Sequence, residues 1–393
     1  MNEKNKYFYP KNNLYFLVSL SKNKSKINII EDIVNKIKVW PIEAKVGIGI
    51  LGWISWNTTF VYYNANNYIR METLSEFGDF ISKAAGLSSN VEFIPLQSKL
   101  GGNGPIMSNA LSTYGLNINY IGALGEDSIN PVFIEMSKKC NIISISNPGL
   151  TDAVEFLDGK LMIGKRECLK DVNWNKIKEK VGVEKLTSII DSSTLVGLEN
   201  WTMLPYMAQI WKGLINEVLP NLNKKDNKYI FFDLADPENR LKSDVLEALS
   251  LLKEFSSKFN VILGLNEKEA YEIGEIFGVT SQENKIPLKN LIIELYKRLS
   301  INTLVIHPVK EACAVCNGKY YYTPGPYEPN PKLTTGAGDN FNAGFCFGQV
   351  LGLSTQLSLV LGTATSGYYV RNAKSPTLKD IITFLNYWEN SLN

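Results

Sequence analysis

The sequence predicts an α/β protein: one large domain with an accessory piece, or two domains. Three observations support this. The chain has 393 residues, 45% hydrophobic and 20% charged, which suits a globular enzyme able to bury a sizeable core. Apolar strand patterns alternate with helical ones: Lys228-Tyr-Ile-Phe-Phe-Asp233 precedes a helix over 241–258, and Val261–Leu265 precedes a helix opening at Asn266. Glycine-rich turns open helices at Gly101-Gly102 and at Gly336-Ala337-Gly338, and in open α/β sheets ligands gather at the carboxyl ends of strands.

In chain order, residues 1–25 are a Lys- and Asn-rich leader around one short strand, Leu14–Leu20, without the small-residue cleavage site of a signal peptide. Ile30, Ile33, Val34 and Ile37 share one face of a helix over about 27–40. Residues 1–45 form an extension with no readable role. Gly47-x-Gly49-x-x-Gly52 has the spacing of a dinucleotide fingerprint, but that turn needs a strand before the glycines and a helix after them. Here the glycines alternate inside a strand, and the aromatic, β-rich Trp53–Tyr63 follows, so no nicotinamide site is expected. Next come a small-residue helix ending at Gly115, a strand, and a hairpin over Thr151–Lys165 turning at Asp158-Gly159. After a strand at Thr194–Leu198, Trp201 and Met203 are expected in core or rim packing. Leu304–Lys319 reads as strand, turn and strand. Residues 340–370 carry no charge, but polar residues and glycines interrupt them, so they read as two buried helices rather than a membrane span. A last helix covers 377–390.

The chemistry concentrates in Thr334-Thr335-Gly336-Ala337-Gly338-Asp339-Asn340-Phe341-Asn342-Ala343-Gly344. Side chains this small let a phosphate approach backbone N–H groups, and a starting helix points unpaired donors and its positive dipole end at that anion. Asp339 at the lip can accept a proton from an attacking hydroxyl. A second stretch, Lys99-Leu-Gly101-Gly102-Asn103 through Gly115 to Gly122-x-x-Gly125-x-Asp127, offers a backbone that a ligand can approach and an amide placed for hydroxyls.

Together the two stretches resemble the signatures of the ribokinase-like carbohydrate kinases, over roughly residues 46–390. The resemblance implies a three-layer sandwich: a central, mostly parallel sheet flanked by helices, with a small β-lid from parts of about 53–65 and 151–168, in which Asn57–Tyr63 pairs with the hairpin. It implies an ATP-dependent carbohydrate kinase with Asp339 as catalytic base. The N–H groups of Gly336, Ala337 and Gly338 would form the anion hole. Thr334, Thr335, Asn266, Glu269 and Asn342 would meet nucleotide or phosphate, and Asn57, Gly101, Gly102 and Asn103 would hold the acceptor. Asn266-x-x-Glu269 matches a family motif that implies a part in organising Mg2+, through water. The C-terminal helices would wall the adenine, and the resemblance allows a homodimer through the lid. This chain departs from the family pattern at Asn57 (usually Asp), Ile106 (usually Asn), His307–Ala312 (usually Thr-x-Gly-x-x-Gly) and Leu333, where many relatives place an Asp at a monovalent-cation site.

Composition bounds the rest. Forty-one basic against thirty-nine acidic residues give no strong pull towards nucleic acid or membrane. Five scattered cysteines suit a reducing cytoplasm, and Cys313-x-x-Cys316 on a strand points its thiols to opposite faces, against zinc. His307 is the only histidine and is read as a loop residue, so a His-based triad is excluded. Three alternatives stay open: a nucleoside kinase with Trp53 and Trp56 stacking on a base, a catalytically weak binding or regulatory protein, and, more distantly, a Rossmann dehydrogenase.

Overall fold

The computed structural model describes residues 29–38, 45–47, 53–64, 67–223 and 227–392; for 45–47, 53–64, 67–70 and 92–97 it gives backbone course and register only. The expected strand at Leu14–Leu20 and residues 48–52 lie outside the described residues.

Among the described residues fourteen strands form two sheets: β1 (Lys45–Gly47), β2 (Trp53–Asn64), β3 (Asn67–Arg70), β4 (Glu92–Gly101), β5 (Asn117–Ala123), β6 (Cys140–Ser146), β7 (Gly149–Phe156), β8 (Gly159–Lys165), β9 (Leu195–Leu198), β10 (Tyr229–Asp233), β11 (Asn260–Leu265), β12 (Thr303–Ile306), β13 (Glu311–Cys316) and β14 (Lys319–Pro324). The larger sheet runs β14-β13-β12-β11-β10-β9-β1-β5-β6. From β12 to β6 every pairing is parallel, and the β12–β13 and β13–β14 pairings at the other edge are antiparallel.

Parallel strands covered on both faces need apolar side chains on both faces. In β11, Val261, Leu263 and Leu265 join one core while Ile262 joins the other; Leu304 and Ile306 of β12 divide from Val305 in the same way. The first core lies under the helices of residues 174–299. The second lies under the helices Ile29–Lys38, Asn103–Thr113, Ala337–Val350, Thr355–Asn372 and Leu378–Leu392. The result is the expected three-layer sandwich. Ile33, Val34 and Ile37 are buried as their spacing predicts, against the last two helices. No helix among the described residues is long and apolar enough to cross a membrane.

The smaller sheet joins β3, β2, β7 and β8, with β4 also on β2. Two details differ from expectation. β2 pairs with β7 in parallel over Trp53–Thr58, so only Asn57 and Thr58 of the expected segment meet the hairpin; residues further along β2 pair with β4 and β3. The hairpin turns at Leu157-Asp158, because Gly159 already pairs with Phe156 and Asp158 Oδ1 accepts the Leu74 N–H at 2.8 Å.

Candidate active site

The parallel strands deliver their carboxyl ends to one edge: Glu199 and Asn200 after β9, Asp233 at the end of β10, Asn266 after β11 and His307 after β12. Two helix starts meet them there. Asn103 opens Asn103–Thr113 just after β4, and Asp339 stands in the first turn of Ala337–Val350. These two helices pack on each other.

Gly336 enters its helix with φ +92°, a left-handed conformation natural to glycine. A Cβ there would stand 2.9 Å from Tyr369 Oη and 3.1 Å from Ile106 Cδ1. The Tyr369 hydroxyl donates to the Thr335 carbonyl at 2.8 Å, and the Ala337 N–H turns back to the Thr334 carbonyl at 3.0 Å. Of the three amides expected in the anion hole, Ala337 is thus engaged internally, which leaves the expectation with Gly336 and Gly338. Ile106 is buried and packs under this loop. Gly344 and Gly348 lack the side chains that would strike Thr365 and Ser358, so Thr355–Asn372 packs closely and carries Tyr369 over the loop.

Asp339 is only 9% exposed. Burial raises its carboxyl to about 7; the charge of Glu269 adds to the rise, and the Asn103 side chain holds it back. Glu199, Asp233 and Glu269 are also buried. Burial is the main cause that lifts each above its ordinary value, well above it for Glu199 and Asp233. Asp233 and Asp339 add to it for Glu199, and Glu269 and Asp339 for Asp233.

Two expected contacts take a different form. Asn342 is 2% exposed and donates from Nδ2 to Asp233 Oδ2 at 3.1 Å, so in this structure it faces the sheet rather than a nucleotide. Glu269 completes a capping box. Its Oε2 accepts the Asn266 N–H at 2.8 Å, its own N–H donates to Asn266 Oδ1 at 2.9 Å, and its Oε1 accepts the Asp236 N–H at 2.9 Å. Both oxygens therefore hold backbone together, and Asn-x-x-Glu is itself the spacing of such a cap. Glu269→Ala strands two partly buried backbone donors, those of Asn266 and Asp236, at about 1–3 kcal/mol each, and a melting temperature lower on the order of 5–10 °C is expected in calorimetry. An unchanged melt would refute this structural role.

A cavity of about 350 Å³ opens beside Ala337 and Gly338, lined among others by Thr334, Asn266, His307, Phe341, Tyr327 and Gly367. Arg371 holds its rim by donating to the carbonyls of Pro326 and Tyr327. His307 does lie in a loop, yet its ring packs on Phe341 with centroids 4.8 Å apart, and burial depresses it to about 4, so it is neutral at pH 7. The cavity lining contains Glu311 and Glu328 and, among the described residues, no Lys or Arg. On the opposite side, Gly101 and Gly102 precede Asn103, and the β2–β4 ladder slips between Asn57 and Thr58. Irregularities of this kind cluster beside active sites. Trp201 packs as expected, under the Arg240 guanidinium at 4.7 Å. Glu199 and Asn200 were missed, although a polar pair directly after four buried strand residues is the same signal that marks Asp233.

A mostly parallel sheet between two helical layers, with a Gly-Ala-Gly-Asp helix start at its carboxyl edge, defines a ribokinase-like carbohydrate kinase. The fold matches ribokinase from Thermotoga maritima with a TM-score of 0.60, at 15% identity over 88% of this chain and 99% of that one. Arabidopsis thaliana ribokinase, solved with ribose and ATP, matches at 0.59, with 16% identity over 87% of this chain and 98% of that one. The model of the prokaryotic ketohexokinase family matches residues 38–388, and the chain belongs to that family. It is also similar to ketohexokinase of Haloferax volcanii, 28% identical over 345 residues, which cover 87% of this chain and 90% of that protein.

Proposed function

We propose that this sugar kinase transfers the γ-phosphoryl group of ATP to a hydroxyl of a ketohexose, with Asp339 as the base. The observation that carries the reading is Asp339 itself: a buried carboxyl raised to about 7, in the first turn of a helix beside a cavity of nucleotide size. A base with its midpoint near neutral pH is ionised often enough to act and basic enough to take a hydroxyl proton. The hydroxyl oxygen attacks phosphorus as its proton passes to Asp339, and ADP leaves. The N–H groups of Gly336 and Gly338, with the helix dipole behind them, offset charge growing on the transferring group. The nucleotide occupies the cavity against Phe341, with Thr334 and Thr335 at its phosphate end. The acceptor lies on the side of Gly101, Gly102, Asn103 and Asn57, and the smaller sheet closes over it as a lid that excludes water. The ketohexose assignment follows the Haloferax volcanii relative.

Magnesium fits these surroundings. Of the two acidic residues in the cavity lining, Glu328 pairs with Arg371 at the rim at 3.2 Å, while Asp233 Oδ1, at the strand edge, is buried without a hydrogen-bond partner. Among the described residues no three carboxylate, thiolate or imidazole groups converge on one point. Asn266 and Glu269 would hold the ion through water, the rest of its shell coming from phosphate and water. When bound it neutralises phosphate charge that the side chains here do not.

The test is ADP release from Mg·ATP across ketohexoses, aldoses, polyols, sugar acids and nucleosides. Turnover with a ketohexose well above the other acceptors is expected. Turnover with nucleosides alone would overturn the substrate class, and a silent panel despite ATP binding would overturn the activity.

A further inference from the structure

Asn200 follows β9 with φ +63°, a left-handed backbone that asparagine tolerates better than most residues, and its side chain is buried. The Met203 backbone N–H donates to Asn200 Oδ1 at 3.3 Å. A backbone N–H can only donate, so this contact decides which end of the Asn200 amide is oxygen. The other end, Nδ2, donates to Asn103 Oδ1 at 3.0 Å. That decides Asn103 in turn. Its oxygen is taken, and its NH2 is the end left to face Asp339, whose carboxyl it restrains from rising further. A flipped Asn103 would set its oxygen against the Asp339 carboxyl and its NH2 against another NH2. The loop bearing Asn200 is itself fixed, since Arg240 donates to the carbonyls of Trp201, Thr202 and Leu204.

We propose that Asn200 is a positioning residue: through Asn103 it holds an N–H donor on Asp339, so the loop after β9 sets the ionisation and aim of the base. The proposal rests on the reading of Asp339 as base. The other titratable groups around Asp339 come from separate elements: Glu199 and Asp233 from strand ends, Glu269 from the helix Glu267–Ile276, His307 from the loop after β12 and Tyr369 from Thr355–Asn372. Removing the Asn200 amide leaves all of them in place, so a change at Asp339 reports the Asn103 donor.

Asn200→Gly is the fitting variant, because glycine accepts the φ of +63°. The test follows the 13C signal of the Asp339 carboxyl through a pH titration of the full-length protein, identified by its loss in Asp339→Asn, alongside pH profiles of kcat/KM. In Asn200→Gly the carboxyl midpoint moves up by ~0.5–1 pH unit, and kcat/KM falls roughly 3- to 10-fold at pH 6 and recovers at pH 9. Asn103→Ala moves the midpoint at least as far, and the double variant no further than Asn103→Ala alone. An unmoved midpoint overturns the proposal, including when activity falls equally at every pH, because that pattern belongs to a purely structural residue. Near-normal turnover by Asp339→Asn would instead remove the base reading, and the carboxyl midpoint would still decide whether Asn200 orients Asn103.

Discussion

Asp339→Asn is expected to lower kcat by at least ~100-fold while leaving a folded protein, the scale on which a positioned base contributes. The substitution keeps the shape of the carboxyl and the neighbouring amide contacts but cannot take the hydroxyl proton. Two further readouts separate lost chemistry from lost fold. Burial holds the Asp339 carboxyl at about 7, well above its ordinary value. The folded state thus binds the proton more tightly than the unfolded chain does, and ionised Asp339 costs the fold stability that is recovered as pH falls through 7. A neutral Asn removes that cost, so the variant should melt no lower than the parent at pH 8. For the parent, kcat/KM of ADP formation should rise with pH through about 7 and level off above it, since only the ionised carboxylate accepts a proton. A profile flat from pH 5.5 to 9, or normal turnover in the variant, would take Asp339 out of the chemistry.

Gly336→Ala should cost roughly 100-fold in kcat, because an ångström of misplacement at a reacting phosphate is felt on that scale. The new Cβ meets both a backbone φ of +92° and the Tyr369 hydroxyl at 2.9 Å. The loop gives way by releasing the Tyr369–Thr335 bond, and the amides of Gly336 and Gly338 move with it. The strain itself amounts to about 1–3 kcal/mol, a modest loss in a chemical melt beside the kinetic one. Gly338→Ala is the control: that position is helical, and its Cβ meets only the edge of His307 at 3.1 Å. Its loss should be clearly smaller. Equal losses in the two variants, measured as single-turnover rates at saturating ATP, would mean that the left-handed turn has no special part.

The layers and the catalytic edge were legible because they rest on local patterns. Strands buried on both faces read as apolar runs, and Gly-Ala-Gly-Asp announces a helix start whatever surrounds it. Contacts between distant segments were not legible. Asn342 lies three residues beyond Asp339, and only the packing of its helix on β10 turns it to Asp233. Asn200 and Asn103 lie ninety-seven positions apart, and no spacing along the chain announces their hydrogen bond. The register of β2 was read too far along the strand, because aromatic β-rich sequence does not say where a ladder begins. Glu269 was read as part of a family motif, whereas its hydrogen bonds in the structure form a capping box.

The helix Ile29–Lys38 buries its apolar face against Thr355–Asn372 and Leu378–Leu392, and the former carries Tyr369 and part of the wall of the cavity beside Gly338. During synthesis that face emerges long before its partners exist. At ordinary translation speeds the wait is on the order of 15–60 s, with Ile33, Val34 and Ile37 exposed to whatever else binds apolar surface. The layer behind the Gly336 turn is therefore the last to close on the ribosome, and a chain stalled before residue 355 has a largely complete sheet but no finished site. Chaperone dependence in this enzyme should track the amino-terminal helix rather than the large central core.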